Sequence, residues 1–159
     1  MAFTYQEIIL RLVIAAFLSG LIGLEREVRQ KPAGIRTNAL IGLGAALMTL
    51  CGIYVATYWP QMTDAGRLAS MVVQGVGFLG AGAIIQASGS VRGLTTAATM
   101  WVVAGIGIAS GLGFYLGAFF TAIIVLILLM VFGPLDAKLM GSEEEKAKVR
   151  HIFQRRSKE

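Results

Sequence analysis

Polar side chains able to do chemistry gather where three apolar segments of the chain begin or end. They are Glu25, Arg26, Arg36, Thr37, Asn38, Arg92, Thr95 and Thr96. Partly removed from water, such groups can hold an ion or a polar partner. Glu25 directly follows an apolar segment, so it is the best candidate for a buried acid, and Arg36 or Arg92 could pair with it. The alternative is a collar of arginines that extend to water, with helix caps beside them.

Two further polar residues lie inside or near apolar segments. Gln74 falls within the third segment, where its amide needs hydrogen-bond partners. It either joins neighbouring helices or lines a polar cavity. Arg11 lies near the start of the first segment, and we expect it to pair with Glu7 one turn earlier or to extend to water. The alternative is an Arg11 that faces the bundle interior.

The chain offers little for catalysis or for metal binding. Its one histidine, His151, lies in a charged tail, and no nucleophile–base pair is visible. Gly75–Gly80 matches G-x-G-x-x-G, but it lies inside an apolar segment without the strand that a dinucleotide site requires. We therefore expect no enzyme activity and no cofactor.

Magnesium is usually held by carboxylates and waters. Glu25 is the only plausible metal ligand within the depth of the membrane. Glu7 and Asp64 lie at the other side of the membrane from Glu25. One copy of the chain is therefore not expected to form a dedicated magnesium pore. An oligomer could still place several copies of Glu25 around one axis.

The elements that must position these groups are membrane-spanning helices. Of the 159 residues, 56% are apolar and only 14% are charged, whereas soluble domains have roughly 25% charged residues. A spanning helix needs roughly 20 mostly apolar residues. Five segments qualify, at about residues 8–24, 37–58, 68–86, 94–109 and 114–132. The predicted fold is all-α: a polytopic membrane bundle of about five helices over residues 1–138, then a charged cytoplasmic tail, 139–159, that forms a short amphipathic helix.

Charge placement predicts the orientation of these helices. With five spans, all basic residues except Arg11 and Arg67 fall on one side of the membrane. Lys and Arg concentrate on the cytoplasmic side of short loops. We therefore expect the N-terminus outside and the C-terminus in the cytoplasm. The net charge of +5 is explained by this placement beside the lipid bilayer, and we expect no nucleic-acid partner.

Small residues predict where helices pack closely, because lipid provides no hydrophobic drive for helix association. The predicted packing positions are Gly20, Gly23, Gly34, Gly75, Gly77, Gly80, Gly82 and Gly93. The third span is mostly small residues, which places it at the centre of the bundle or at a contact between copies, a dimer above all.

Four stretches of the chain resemble the MgtC/SapB family of bacterial inner-membrane proteins. They are Gly20–Glu27 (GLIGLERE), Lys31–Thr37 (KPAGIRT), Gly77–Gly82 (GFLGAG) and Val91–Ala98 (VRGLTTAA). Their order and the five-span layout together extend the resemblance over roughly residues 5–133. Some virulence-associated members have asparagine where this chain has Thr95. Many members also add a soluble C-terminal domain, whereas only about 20 residues follow Lys138 here. We therefore expect this chain to be similar to a minimal, SapB-like transmembrane module.

The resemblance implies a function linked to magnesium limitation, acid stress or survival inside host cells. It implies a non-enzymatic protein of the bacterial plasma membrane that regulates a membrane partner, with the proton-translocating ATP synthase as the named candidate. The alternative is an ion transporter or channel, for magnesium or another cation, with a polar site at the cytoplasmic helix ends. The residues of this chain that match the family's motifs, and to which the resemblance therefore assigns a functional role, are Glu25, Arg26, Gly34, Arg36, Thr37, Gly77, Gly80, Gly82, Arg92, Gly93, Thr95 and Thr96.

Overall fold

The computed structural model describes residues 3–61, 65–87 and 90–133. They form five helices and one short antiparallel hairpin. The helices are α1 (Tyr5–Val28), α2 (Ile35–Tyr58), α3 (Ala65–Ala83), α4 (Leu94–Leu112) and α5 (Tyr115–Gly133). The hairpin pairs β1 (Ile85–Ala87) with β2 (Ser90–Arg92), and Ile85 lies opposite Arg92. The predicted amphipathic helix of the tail lies outside the described residues.

The prediction of a five-helix membrane protein is confirmed. Helices α1, α2, α4 and α5 are each long and apolar enough to cross a membrane, while the apolar part of α3 that is described, Ala69–Ala83, is shorter. The chain divides by its contacts into two compact units, Met1–Val125 and Leu126–Glu159. The core and the polar cluster described below both lie in the first unit. The described part of the second unit is the apolar end of α5.

Several helix ends differ from the predicted ones, each for a local reason. Helix α1 starts earlier because Thr4 and Glu7 form a capping box. Helix α3 ends at Ala83, and the next residues turn into the hairpin instead of extending the span. Helix α4 continues through Ser110, whose hydroxyl donates to the carbonyl of Ile106, and it ends at Leu112, where the next residue, Gly113, has φ of 83°. Glycine adopts that left-handed conformation without steric cost.

The closest packing in the bundle joins α1, α2 and α4. A Cβ atom on Gly42 of α2 would overlap Ser19 of α1, and one on Gly107 of α4 would come within 2.7 Å of the Ala45 side chain. One turn further along α4, a Cβ on Gly111 would lie 2.9 Å from the Thr49 side chain. These glycines let backbones approach where a side chain would hold them apart. The tightest backbone contacts therefore join α1, α2 and α4, while α3 contributes Val76 to the hydrophobic core beside Ala45 and Met100.

Helix α3 instead presents a small-residue surface to its surroundings. Gly75, Gly77 and Gly82 have open space around the position of a Cβ atom. Phe78 is 82% exposed, and large apolar side chains are exposed on every helix. An apolar exterior of this extent is what a lipid-facing surface requires.

Candidate functional site

Glu25 and Arg26 lie on the last turns of α1 and face the bundle interior. Only 7% of Glu25 and 5% of Arg26 is exposed. Helix α1 continues to Val28, so both residues keep helical geometry. Their side chains are therefore held against the helices that pack on α1. Charged groups at this degree of burial need partners.

The partner of the Glu25 carboxylate is Arg29, the residue that caps the C-terminus of the same helix. Arg29 Nε lies 2.7 Å from Glu25 Oε1, at the i, i+4 spacing, and the Arg29 side chain is 34% exposed. The second carboxylate oxygen, Oε2, is buried and has no hydrogen-bond partner among the described residues. The pair therefore joins a buried anion to a cation that reaches water.

Arg26 connects α1 to the start of α4. Its Nη2 donates to Thr96 Oγ1 at 3.2 Å, and both side chains are buried. This contact joins positions far apart in the chain, so it fixes the end of α1 against the first turn of α4. Arg26 Nε is buried and has no hydrogen-bond partner among the described residues.

The start of α2 is organised by two side chains. Asn38 is fully buried, and its Nδ2 donates to the carbonyls of Ala33 and Gly34. Glu27 Oε2 accepts a hydrogen bond from the amide of Ile35 at 3.0 Å. Glu27 thus caps the N-terminus of α2, where a negative charge is favoured by the helix dipole. Sequence reasoning missed this role because the cap comes from a residue eight positions earlier, on another helix.

The structure brings together only part of the predicted site. Glu25, Arg26 and Thr96 lie in one buried group, to which the structure adds Arg29; it is called the polar cluster below. Asn38 is buried at the start of α2. The remaining predicted residues are exposed, namely Arg36, Thr37, Gln74, Arg92 and Thr95.

The expected pairing of Glu25 with Arg36 or Arg92 is wrong within the described residues. Arg29 holds the carboxylate instead, since one helical turn brings it into contact without any tertiary fit.

Arg11 lies at the opposite end of the bundle, and it faces the bundle interior, as the alternative interpretation of the sequence allowed. Its Nη1 donates to the carbonyl of Gly111 at 2.7 Å, and its guanidinium lies 4.3 Å from the centre of the Phe3 ring. Gly111 is in the last turn of α4, where carbonyls lack helical partners. Glu7 meanwhile accepts from the amide of Thr4 at 2.9 Å. Arg11 is therefore a C-terminal cap for α4.

The predicted packing glycines fall into three groups. Those where a Cβ would overlap or crowd neighbouring atoms are Gly23, Gly34 and Gly93, those in ordinary contact are Gly20 and Gly80, and those in open space are Gly75, Gly77 and Gly82. A Cβ on Gly23 would lie 2.6 Å from the Gly34 oxygen, so these two glycines bring α1 against the start of α2. Gly93 has φ of 92° and lies against the Ala83 carbonyl, where it joins α4 to the end of α3.

The donor set of the described residues does not resemble a magnesium cage. Among them, no three Asp, Glu, His or Cys side chains come close enough to share one ion. Glu25 is the one buried carboxylate in the described part of the chain, and Arg29 already neutralises it.

Comparison with known proteins gives consistent matches. The model of the MgtC family matches residues 12–138. The chain is 43% identical over 139 residues to the "Putative magnesium transporter YhiD" of Escherichia coli K12, which covers 85% of this chain and 65% of that protein. It is 48% identical over 118 residues to "Protein MgtC" of Salmonella typhimurium LT2, covering 74% of this chain and 49% of that protein. The chain thus spans about half to two thirds of these relatives. No solved structure matches.

Proposed function

Because the chain belongs to the MgtC family, we propose that it is a non-enzymatic membrane protein that regulates a membrane partner, or ion homeostasis, under magnesium limitation or acid stress. The observation that carries this proposal is the state of Glu25. The one buried carboxylate among the described residues is held by Arg29 at 2.7 Å and is adjacent to the buried Arg26. A carboxylate so neutralised suits a fixed recognition or coupling site better than a site for passing cations.

The packing of the bundle supports the same choice. At Gly42, Gly107 and Gly111 the backbones of α2 and α4 lie too close to neighbouring atoms for even a methyl group to be added without a shift. Ser19, Thr49 and Ser110 are buried there, but Thr49 and Ser110 donate back to their own helices. A conducting path through α1, α2 and α4 of one copy would need room that this packing does not leave.

The proposed location is the bacterial plasma membrane, with the N-terminus outside and the polar cluster on the cytoplasmic side. The Arg26–Thr96 contact brings the end of α1 to the start of α4, and the Glu27–Ile35 contact brings it to the start of α2. That shared end also has Arg29, Lys31, Arg36 and Arg92 close by in the chain. An excess of Lys and Arg beside spanning helices favours the cytoplasmic side.

The partner suggested by the resemblance is the proton-translocating ATP synthase. The proposal is tested in inverted bacterial membrane vesicles, prepared with and without the chain, in which ATP-driven acidification is followed by dye quenching. We expect the chain to change the initial rate, and Glu25→Gln to remove that change. Glu7→Gln is the matched control, because glutamine also serves in a capping box. Equal rates with and without the chain would argue against this partner.

Transport remains the second candidate. A relative named as a putative magnesium transporter and the open glycine surface of α3, at Gly75, Gly77 and Gly82, favour it. If copies of the chain associated through that surface, a path could form between them instead of through one bundle. Direct measurement of magnesium flux separates the two candidates.

A further inference from the structure

A groove of about 550 Å³ runs between α2 and α3, with Met100 of α4 among the residues that line it. Its α2 side is formed by Arg36, Leu40, Gly44 and Met48, which follow one another at i, i+4 spacing. Its volume lies within the range of about 300–1,000 Å³ that is usual for ligand pockets. The lining is almost wholly apolar except at one end.

The length of the groove matches one leaflet of a bilayer. From Arg36 to Met48 the helix rises by about 18 Å at 1.5 Å per residue, and half of the hydrocarbon thickness is about 15 Å. The α3 side is formed by Val72, Gly75 and Leu79. A Cβ atom added to Gly44 or to Gly75 would have no neighbouring atom within 4 Å, so the two glycines leave the middle of the groove open.

Arg36 gives the groove a polar end. Its side chain is exposed, and no acidic partner for it is found in the described part of the chain. Arg36 also lies on the first turn of α2, at the end of the bundle proposed to face the cytoplasm. A guanidinium binds phosphate through two parallel hydrogen bonds, which makes arginine suited to phosphate recognition.

We propose that this groove binds one anionic phospholipid, with a phosphate on Arg36 and Thr37 and an acyl chain along Leu40, Gly44 and Met48. The cytoplasmic leaflet is rich in anionic lipids, and basic pockets between spanning helices bind their headgroups. An acyl chain gains little by leaving other lipid tails for an apolar groove, since both surroundings are apolar. The preference for one lipid therefore comes from the charge on Arg36, and the shape of the groove sets how many lipids bind.

The test is native mass spectrometry of the full chain in detergent, titrated separately with phosphatidylglycerol and with phosphatidylcholine of the same acyl composition. We expect one phosphatidylglycerol per chain, bound about ten-fold more tightly than phosphatidylcholine. Both headgroups contain a phosphate, but the quaternary ammonium of choline cancels its charge and repels Arg36, whereas phosphatidylglycerol keeps its net negative charge. Arg36→Gln should bring the two affinities together. Lys31→Gln is the control, since it removes a positive charge at the same end of the bundle, outside the groove lining.

The shape of the groove is tested independently by filling it. Gly44→Leu and Gly75→Leu place side chains in open space and should each abolish binding of both lipids. Gly105→Leu is the control, because Gly105 also has open space but does not line the groove. Circular dichroism establishes that each variant is folded.

Three results would overturn the proposal. Arg36→Gln could leave the preference for phosphatidylglycerol intact, or Lys31→Gln could reduce it equally, which would indicate general surface charge. The third is a parent chain that binds no phosphatidylglycerol; it would also be a dimer that Gly44→Leu separates into monomers if a second copy of the chain occupied the groove.

Discussion

Replacing Thr96 by valine removes the acceptor for Arg26 while keeping the shape of the side chain. The Arg26 guanidinium is buried, so losing its hydrogen bond to Thr96 leaves a charged donor without that partner. Hydrogen bonds to charged groups contribute about 1.5–3 kcal/mol, while bonds between spanning helices average only about 0.6 kcal/mol, with a maximum near 1.7. The N–O distance of 3.2 Å is at the long end of the usual range. We therefore expect Thr96→Val to lower the free energy of unfolding by about 1.5 kcal/mol.

Thr99→Val is the matched control on the same helix. Thr99 is also buried, but its hydroxyl donates to the carbonyl of Thr95 in the preceding turn. Such bonds add little to helix stability, so the control should cost about 0.5 kcal/mol or less. Reversible unfolding in mixed micelles, followed by circular dichroism, measures both variants. A double-mutant cycle with Arg26→Met should give a coupling energy of about 1 kcal/mol between Arg26 and Thr96.

Two results would refute this reasoning. The first is a Thr96→Val variant no less stable than Thr99→Val. The second is a coupling energy indistinguishable from zero between Thr96 and Arg26. Either would mean that the contact between α1 and α4 does not fix the polar cluster.

Three further predictions concern packing and capping. Gly107→Ala should destabilise the bundle by about 2 kcal/mol through overpacking, whereas Gly105→Ala, in open space, should be neutral or stabilising by up to about 1 kcal/mol; equal effects in the same unfolding assay would contradict the close packing. Asn38→Leu should cost about 2 kcal/mol, because the Ala33 carbonyl loses its side-chain donor and the Gly34 carbonyl keeps only the backbone amide of residue 38, and a variant as stable as the parent chain would show that these hydrogen bonds contribute nothing. Arg11→Met should speed amide hydrogen exchange in the last turn of α4, since Gly111 loses its cap, and unchanged exchange there would show that the cap contributes nothing.

The helices were predictable because apolar length alone decides which segments can span a bilayer. The predicted ends differ by about a turn at α1 and α4, where a capping box and a glycine with positive φ set the boundary. The hairpin after α3 was not predictable from hydropathy. Its first strand, Ile85–Ala87, begins inside the predicted third span, which extends to residue 86, and three residues are too few for an alternating pattern to identify a strand.

The polar cluster was predictable in its residues but not in its contacts. Glu25, Arg26 and Thr96 follow from their positions at segment ends, but which arginine neutralises Glu25 depends on how each helix is rotated. The i, i+4 spacing of Glu25 and Arg29 was the signal that identifies the pair. The glycines show the same limit: composition marks Gly75 as a packing position, yet only the rotation of α3 decides that it is exposed.

We propose that the chain acts through the polar cluster, in which Arg29 neutralises Glu25, and that it does not itself conduct magnesium. The most direct measurement is magnesium uptake by liposomes that contain the purified chain and a trapped magnesium-sensitive dye. We expect no uptake above that of protein-free liposomes, for the parent chain and for Glu25→Gln alike. Protein-dependent uptake that Glu25→Gln abolishes and Glu7→Gln leaves intact would contradict it.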